Sequence, residues 1–227
     1  IDPKAKLSAP VVIGKGCRIA AGAAIGPHTV VGDRAIIGAG SMAREHARAF
    51  ADVPGVTLAG IQSRSSNRAQ ELASQYRIPV VANSVTELYQ RTRAELVIVT
   101  VPVLDMRAVS TMAFEHPWAI LLEKPAGYNL ADARALRNDA VATQSRVIVA
   151  LNRRFHSSTQ LVQEDLASHD SRRFVTVHDQ EDIAEAARAG QPSEVVANWM
   201  FANAIHVIDY LRVFARGSVT AIRPVIR

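Results

Sequence analysis

The stretch Arg34-Ala35-Ile36-Ile37-Gly38-Ala39-Gly40-Ser41-Met42-Ala43 constrains the fold more than any other part of the chain. Ala35 to Ile37 form an apolar run too short for a helix before Gly38, while Ala43, His46, Ala47 and Phe50 recur at i, i+3, i+4, i+7 on one helical face. The pattern is strand, glycine turn, helix. Within it, Gly38-x-Gly40-x-x-Ala43 has the spacing of a dinucleotide-binding turn. The first glycine makes the tight turn, the second lets backbone approach a pyrophosphate, and the small third residue lets the helix pack close to its strand. The helix then offers the N–H groups of Ser41 and Met42, with its positive dipole end, to an anion. Taken alone, the same residues describe a glycine turn between any strand and helix, so the remainder of the chain must decide.

Downstream of Phe50, strands and helices alternate. Val56 to Gln62 reads as a second strand, Asn67 to Tyr76 as a helix with Ala69, Leu72, Ala73 and Tyr76 inward, and Pro79 to Val81 as a short third strand. Ser84 caps a helix through Leu88. Ala94 to Val101 is the most apolar strand, as expected of a parallel strand covered on both faces. A helix around Asp105 to Glu115, a strand from Trp118 to Leu122, a helix capped by Asn129 with Ala133, Leu136 and Ala140 inward, and a strand from Val147 to Leu151 complete the series. The expected fold is α/β, a doubly wound parallel Rossmann sheet over residues 34–151.

Residues 1–33 carry a different order. Ile1, Leu7, Ile13, Ile19, Ile25, Val31 and Ile37 recur with a period of six, followed by Asp2, Ser8, Gly14, Ala20, Gly26, Gly32 and Gly38. Four places after each aliphatic stand Ala5, Val11, Cys17, Ala23, Thr29 and Ala35. Three positions keeping one phase resemble the hexapeptide repeat of left-handed parallel β-helices, and the segment is similar to UDP-N-acetylglucosamine acyltransferases in Val12-Ile13-Gly14-Lys15-Gly16 and Ile25-Gly26-Pro27-His28. In that fold three hexapeptides make one coil, so about two coils are expected, too few for an acyl-donor groove spanning several. His28 matches a catalytic base of that class, but its turn-like Gly-Pro context favours a surface histidine. Ile37-Gly38 belongs to the repeat and to the glycine turn at once; because the downstream chain needs a first strand, the boundary is set at Asp33 and Arg34.

Composition limits the function classes. The longest apolar run, near Leu96 to Leu104, is broken by Thr100 and Pro102 and cannot span a bilayer, so no membrane partner is expected. The start at Ile1, without a basic and apolar leader, gives no expectation of a signal peptide. Cys17 is the only cysteine, which excludes an internal disulfide and a cysteine-rich metal site and fits a reducing, cytoplasmic compartment; no metal ligand set is expected. The net charge of +5 invites nucleic acid, yet the basic residues are scattered and only 5% of residues are aromatic, so a small anionic ligand accounts better for the excess.

Ligands of a doubly wound sheet gather at the carboxyl ends of its strands. The second strand ends in Gln62-Ser63-Arg64-Ser65, with no acid to bind a ribose 2′-hydroxyl. Ser63 and Arg64 suit a 2′-phosphate, with Arg68 one turn into the helix as a helper, which favours NADP while leaving NAD open; an ordinary basic loop is the alternative. The fingerprint, Thr100-Val101-Pro102, Glu123-Lys124-Pro125 and Asn152-Arg153-Arg154-Phe155 together resemble the glucose-fructose oxidoreductase, inositol dehydrogenase and rhizopine-catabolism family over residues 34–227. That resemblance implies a nicotinamide-dependent dehydrogenase acting on a hydroxyl of a sugar, cyclitol or nucleotide sugar. It places Thr100, Pro102 and Glu123 at the cofactor, Lys124 at the reacting hydroxyl and the cofactor, and Pro125, often cis in the family, behind Lys124. A partly buried lysine beside a cationic ring sheds its proton readily and can relay one.

Further on, Trp199 to Tyr210 is similar to the family's second catalytic segment, with His206 and Asp209 matching its histidine and following aspartate. The resemblance makes His206 catalytic and Arg154, Asn203, His206 and Asp209 substrate-binding. The family often carries an acid four residues before the histidine; here that place is Ala202, and Asn203 is the nearest substitute. From the residues alone, His206 between Ile205 and Ile208 reads equally as a satisfied core histidine.

After Leu151 only a partial α+β substrate and oligomerisation domain is expected, residues 152–227, ending in a strand-like run from Val219 to Ile226. The non-methionine start and this ending suggest a piece of something longer, and an uncovered sheet edge suggests a homo-oligomer governed by the dehydrogenase part. A UDP-amino sugar is favoured as substrate, because an acyltransferase-like repeat adjoins a sugar-dehydrogenase-like domain. The competing expectation is a cofactor-binding scaffold without turnover, associated with a sugar-nucleotide acyltransferase.

Overall fold

The computed structural model describes residues 33–215 and 217–223 in full and, before them, the backbone of four two-residue strands. These are Lys6–Leu7 (β1), Val12–Ile13 (β2), Ala24–Ile25 (β3) and Val30–Val31 (β4). Lys6 lies opposite Ala24 and Val12 opposite Val30, both in parallel, so each pair is offset by 18 residues. That offset is three periods of six, one coil of a hexapeptide helix. The other positions of the repeat lie outside the described residues.

The chain divides into two compact units, residues 1–150 and 151–227. The first runs Asp33–Ile37 (β5), Ser41–Ala51 (α1), Thr57–Gln62 (β6), Ser66–Tyr76 (α2), Val80–Ala82 (β7), Val85–Thr92 (α3), Leu96–Val99 (β8), Met106–Phe114 (α4), Ala119–Leu122 (β9), Leu130–Ala142 (α5) and Arg146–Val149 (β10). The sheet is parallel throughout, in the order β10-β9-β8-β5-β6-β7. The chain reverses direction across the sheet at β5, between β8 and β6, and a Rossmann crevice opens there.

Both faces of the sheet are covered. On one, Ala35, Ile37, Val97, Val99, Ile120 and Leu122 pack with Leu88 of α3, Met106 and Phe114 of α4 and Leu136 of α5. On the other, Ile36, Leu58, Ile61 and Ile98 pack with Ala43 and Ala47 of α1 and Ala69 and Leu72 of α2. Adjacent residues of β5 and β8 therefore enter opposite cores, and all four side chains of β8 are buried. A strand buried on both faces is apolar without alternation, which is why this one looks so in the sequence. Local signals set the ends of α3. The Glu87 N–H donates to Ser84 Oγ at 3.0 Å and the Asn83 N–H to Glu87 Oε2 at 2.8 Å, a reciprocal cap that also holds the Glu87 carboxyl below its usual range.

The second unit opens with a 3-10 turn, Asn152–Phe155, and continues with Ser157–Ala167 (α6), Ile183–Arg188 (α7), Ser193–Val196 (α8), Trp199–Ala202 (α9) and Ile205–Phe214 (α10). Among its described residues there is no strand. Residues 219–223 of the expected strand from Val219 form no strand: Val219 and Ile222 are exposed, and no strand among the described residues of this unit offers a ladder. The remainder of that run lies outside the described residues. No helix is long and apolar enough to cross a membrane, and no cluster of histidine, cysteine, aspartate or glutamate suited to a metal occurs, among the described residues.

Candidate functional site

The glycine turn joins β5 to α1, and its two glycines are needed for different reasons. Gly38 has φ +115°, and a Cβ there would lie 2.5 Å from the Thr100 carbonyl oxygen and 2.6 Å from its Oγ1. Thr100 in turn donates its N–H and its hydroxyl to the Ile37 carbonyl, at 2.8 and 3.1 Å, and the Gly38 N–H donates to Gln62 O at 2.8 Å. The carboxyl ends of β8, β5 and β6 are thereby laced together, and the turn has no room for a side chain. Gly40 differs: its φ is −90°, and a Cβ there would meet no atom of the protein within 4 Å. The protein itself does not need glycine at this position, and the space left open is the cradle a pyrophosphate requires.

Gly40 is also the N-cap of α1. It brings no capping side chain, and the first turn contains no acid. The first bond within the helix is from the Arg44 N–H to the Gly40 carbonyl, at 3.2 Å. The N–H groups of Ser41, Met42 and Ala43 precede it, have no carbonyl of the helix to donate to, and stand where the helix dipole is positive. Ser41 and Met42 are exposed. A diphosphate fits this donor set and this opening.

On the β6 side of the crevice, Ser63 Oγ accepts the Ser65 N–H at 3.3 Å, and Arg64 and Arg68 are exposed. Arg64 Nη2 donates to Asp105 Oδ2 at 2.7 Å. Asp105 arrives from the other side, beyond β8 and the exposed Pro102. Sequence reasoning passed over Asp105, although the rule that ligands gather at strand carboxyl ends applies to it as well as to Arg64.

The third part of the site comes after β9. The Glu123 N–H donates to Val99 O at 2.9 Å, which extends the ladder by one residue, and the side chain turns inward, 7% exposed. Its Oε1 is hydrogen-bonded to Nε2 of His46 at 2.8 Å, and its Oε2 accepts the N–H of Lys124 at 3.0 Å. One carboxylate therefore ties α1 to the peptide that carries Lys124. Lys124 is half-buried, Pro125 is buried, and the bond between them is cis. His46 also stacks on Phe50, with ring centroids 6.3 Å apart. The sequence had placed His46 on the apolar face of α1; a lone polar group in that stripe was the available signal that it needed a buried partner.

The second unit holds the other expected residues. Arg154 donates from Nε and Nη2 to the two carboxylate oxygens of Asp209, a bidentate pair in which Asp209 is 6% exposed. These hydrogen bonds raise the Arg154 pKa still further, against the lowering by burial. Each side chain thus already has a partner in the other. Asn203 donates to both oxygens of Glu181, at 2.9 and 2.8 Å, and the Trp199 indole donates to the same carboxylate at 2.8 Å. Glu181 was not foreseen; it precedes α7 in a stretch without periodicity. His206 is buried in α10, and Ala202, where the family often has an acid, is buried too. His28 lies outside the described residues.

Comparison with known proteins fits this geometry. The profile described as an oxidoreductase family with an NAD-binding Rossmann fold matches residues 33–151, and that of the bacterial transferase hexapeptide matches residues 10–43. The chain is 26% identical over 135 residues to 4-carboxy-2-hydroxymuconate-6-semialdehyde dehydrogenase of Sphingobium sp., covering 59% of this chain and 42% of that protein. Among solved structures, scyllo-inositol dehydrogenase from Lactobacillus casei superposes with a TM-score of 0.67 at 16% identity, covering 82% of this chain and 55% of that one. UDP-N-acetylglucosamine 3-dehydrogenase from Acidithiobacillus ferrooxidans gives a TM-score of 0.53 at 26% identity, covering 59% and 42%. The chain spans about half the length of these relatives, 42 to 55%.

Proposed function

Because the chain belongs to the glucose-fructose oxidoreductase, inositol dehydrogenase and rhizopine-catabolism family of NAD-binding oxidoreductases, we propose that it is a dehydrogenase of a sugar or nucleotide-sugar hydroxyl, using NADP in preference to NAD. The observation that carries this is Gly40. Its missing side chain would touch nothing in the protein, and it opens a space directly in front of the uncapped N-terminus of α1. Ser41 and Met42 would hold the pyrophosphate through backbone N–H groups, Thr100 and Pro102 would line the crevice on the β8 side, and Ser63, Arg64 and Arg68 would face the adenosine ribose. When bound, the cofactor supplies the hydride acceptor. Lys124 takes the hydroxyl proton, and Glu123 fixes the Lys124 backbone through its N–H. In the second unit, the roles carried over from the family are catalytic for His206 and substrate-binding for Arg154, Asn203 and Asp209; there Arg154 holds Asp209, and Asn203 holds Glu181.

Within the sugar class we favour a UDP-amino sugar. The UDP-N-acetylglucosamine 3-dehydrogenase is among the relatives at 26% identity, a hexapeptide-transferase segment adjoins the nucleotide-binding unit, and a net charge of +5 suits a diphosphate ligand. A second function, a cofactor-binding scaffold without turnover, draws on Ala202 in place of the acid. Absorbance of reduced nicotinamide, followed with NADP and a panel of sugars, cyclitols and UDP-sugars, separates the two. The dehydrogenase reduces cofactor with at least one member, and Lys124→Met abolishes that reduction. Cofactor binding with no reduction across the panel favours the scaffold.

A further inference from the structure

The rim of the crevice carries a charge pair that the proposed cofactor must disturb. Arg64 comes after β6 and Asp105 after β8, and in the sheet those strands lie on either side of β5. The pair thus bridges two inter-strand spacings, about 10 Å, beyond the carboxyl end of β5 where the glycine turn begins. Asp105 ends a 3-10 turn, Val103–Asp105, that runs directly into α4, and its backbone is helical (φ −88°, ψ −12°), so no helix start asks its carboxylate to accept a backbone N–H. It makes no such bond. Its carboxylate is turned instead to Arg64, with Nη2 to Oδ2 at 2.7 Å, although the Arg64 side chain is 77% exposed and gains little from being held.

We propose that Asp105 is a specificity-determining residue that competes with the cofactor's 2′-phosphate for Arg64. This rests on the assignment of Arg64 to that phosphate. A guanidinium presents one fork of donors; to receive the phosphate it must release the carboxylate, and the carboxylate then stands near a second anion. Both effects lower NADP affinity. NAD has a hydroxyl at that position, so Arg64 stays with Asp105 and its affinity is indifferent to the charge at residue 105. Asp105 therefore narrows the preference for NADP that Arg64 creates, and its removal widens it.

The test is calorimetric titration of the whole chain with NADP+ and with NAD+, using wild type, D105N, D105S, R64A and the R64A/D105N double variant, with thermal unfolding as a check on folding. Both substitutions remove the charge at a position where the side chain makes no cap bond. D105N and D105S are expected to tighten NADP+ binding about two- to fivefold, the scale of an exposed ion pair, and to leave NAD+ binding unchanged. In the R64A background the D105N gain should vanish. R64A weakening NADP+ selectively, with D105N and D105S without effect, overturns the role of Asp105 and leaves the assignment of Arg64 standing. Equal loss of NADP+ and NAD+ in R64A overturns both.

Discussion

Replacing the two glycines of the turn one at a time separates what the fold requires from what the cofactor requires. At Gly38, alanine must adopt φ +115° and bring its Cβ within 2.5 Å of the Thr100 carbonyl oxygen. The backbone conformation costs about 1 to 3 kcal/mol, and forcing β5 away from β8 adds about 1 to 3 kcal/mol. Gly38→Ala should therefore destabilise the first unit by about 2 to 6 kcal/mol, a large part of the roughly 5 to 15 kcal/mol of a folded domain. Its thermal transition should fall by about 5 to 20 °C. At Gly40, φ is −90° and the added methyl meets nothing. Alanine is a poorer N-cap by about 0.5 to 1 kcal/mol, and it stiffens the unfolded chain by about 0.4 to 1 kcal/mol in the opposite sense. These cancel, so Gly40→Ala should unfold within about 2 °C of wild type. Its methyl nevertheless occupies the pyrophosphate's space, and NADP+ affinity should fall at least about tenfold, about 1.4 kcal/mol. Thermal unfolding by circular dichroism and calorimetric titration of both variants provide the readouts. A Gly40→Ala protein that binds NADP+ as well as wild type, or one as unstable as Gly38→Ala, refutes the assignment of that space to a cofactor.

Other perturbations test other parts of the molecule. Arg154→Met strands the Asp209 carboxylate, 6% exposed, without its bidentate partner; a loss of about 1 to 3 kcal/mol in urea unfolding of the second unit is expected, and no loss would show the pair to be structurally idle. His116 is held below its usual pKa of 6.5, first by desolvation and then by Arg93, against the raising effect of Glu115. It stacks on Tyr89 at 4.8 Å and meets Trp118 edge-on at 5.3 Å. Because its folded pKa is depressed, the stability it leaves intact above 6.5 is lost as pH falls through the folded value. His116→Phe, which keeps the stacking, should flatten the stability profile below pH 6.5, and an unchanged slope would place the sensitivity elsewhere. Light scattering on the chain with and without residues 1–33 tests assembly: we expect a homo-oligomer in both, and a monomer on deletion would make the repeat the assembly element.

The parts of this structure legible in the sequence are those in which cause and effect lie within a few residues. Gly38 and Gly40 mark their turn, Ser84 and Glu87 mark the start of α3, and the unbroken apolar run of β8 announces burial on both faces. The overlap of two patterns at Ile37-Gly38 was decided by pairing, since β5 lies hydrogen-bonded between β6 and β8. Partnerships across long separations were not legible. His46 and Glu123 are 77 residues apart, Arg64 and Asp105 are 41 apart, and Asn203 and Glu181 are 22 apart. No local period encodes such pairs, because it is the sheet order that brings the first two together and helix packing that brings the third. The absence of a strand over residues 219–223 has the converse origin: a β-branched run states a preference for a pleated ladder, and the preference is met only where another strand is present to complete it.

We propose that this chain moves hydride from a sugar carbon to a nicotinamide bound over the Gly38–Gly40 turn. The most direct test is isotope transfer. The protein is incubated with NADP+ and UDP-amino sugars deuterated in turn at each hydroxyl-bearing ring carbon, and the reduced cofactor is weighed by mass spectrometry. The account predicts that one labelled position delivers a single deuterium to the cofactor and that Lys124→Met delivers none. Unlabelled reduced cofactor from every position, or transfer that persists in Lys124→Met, contradicts it.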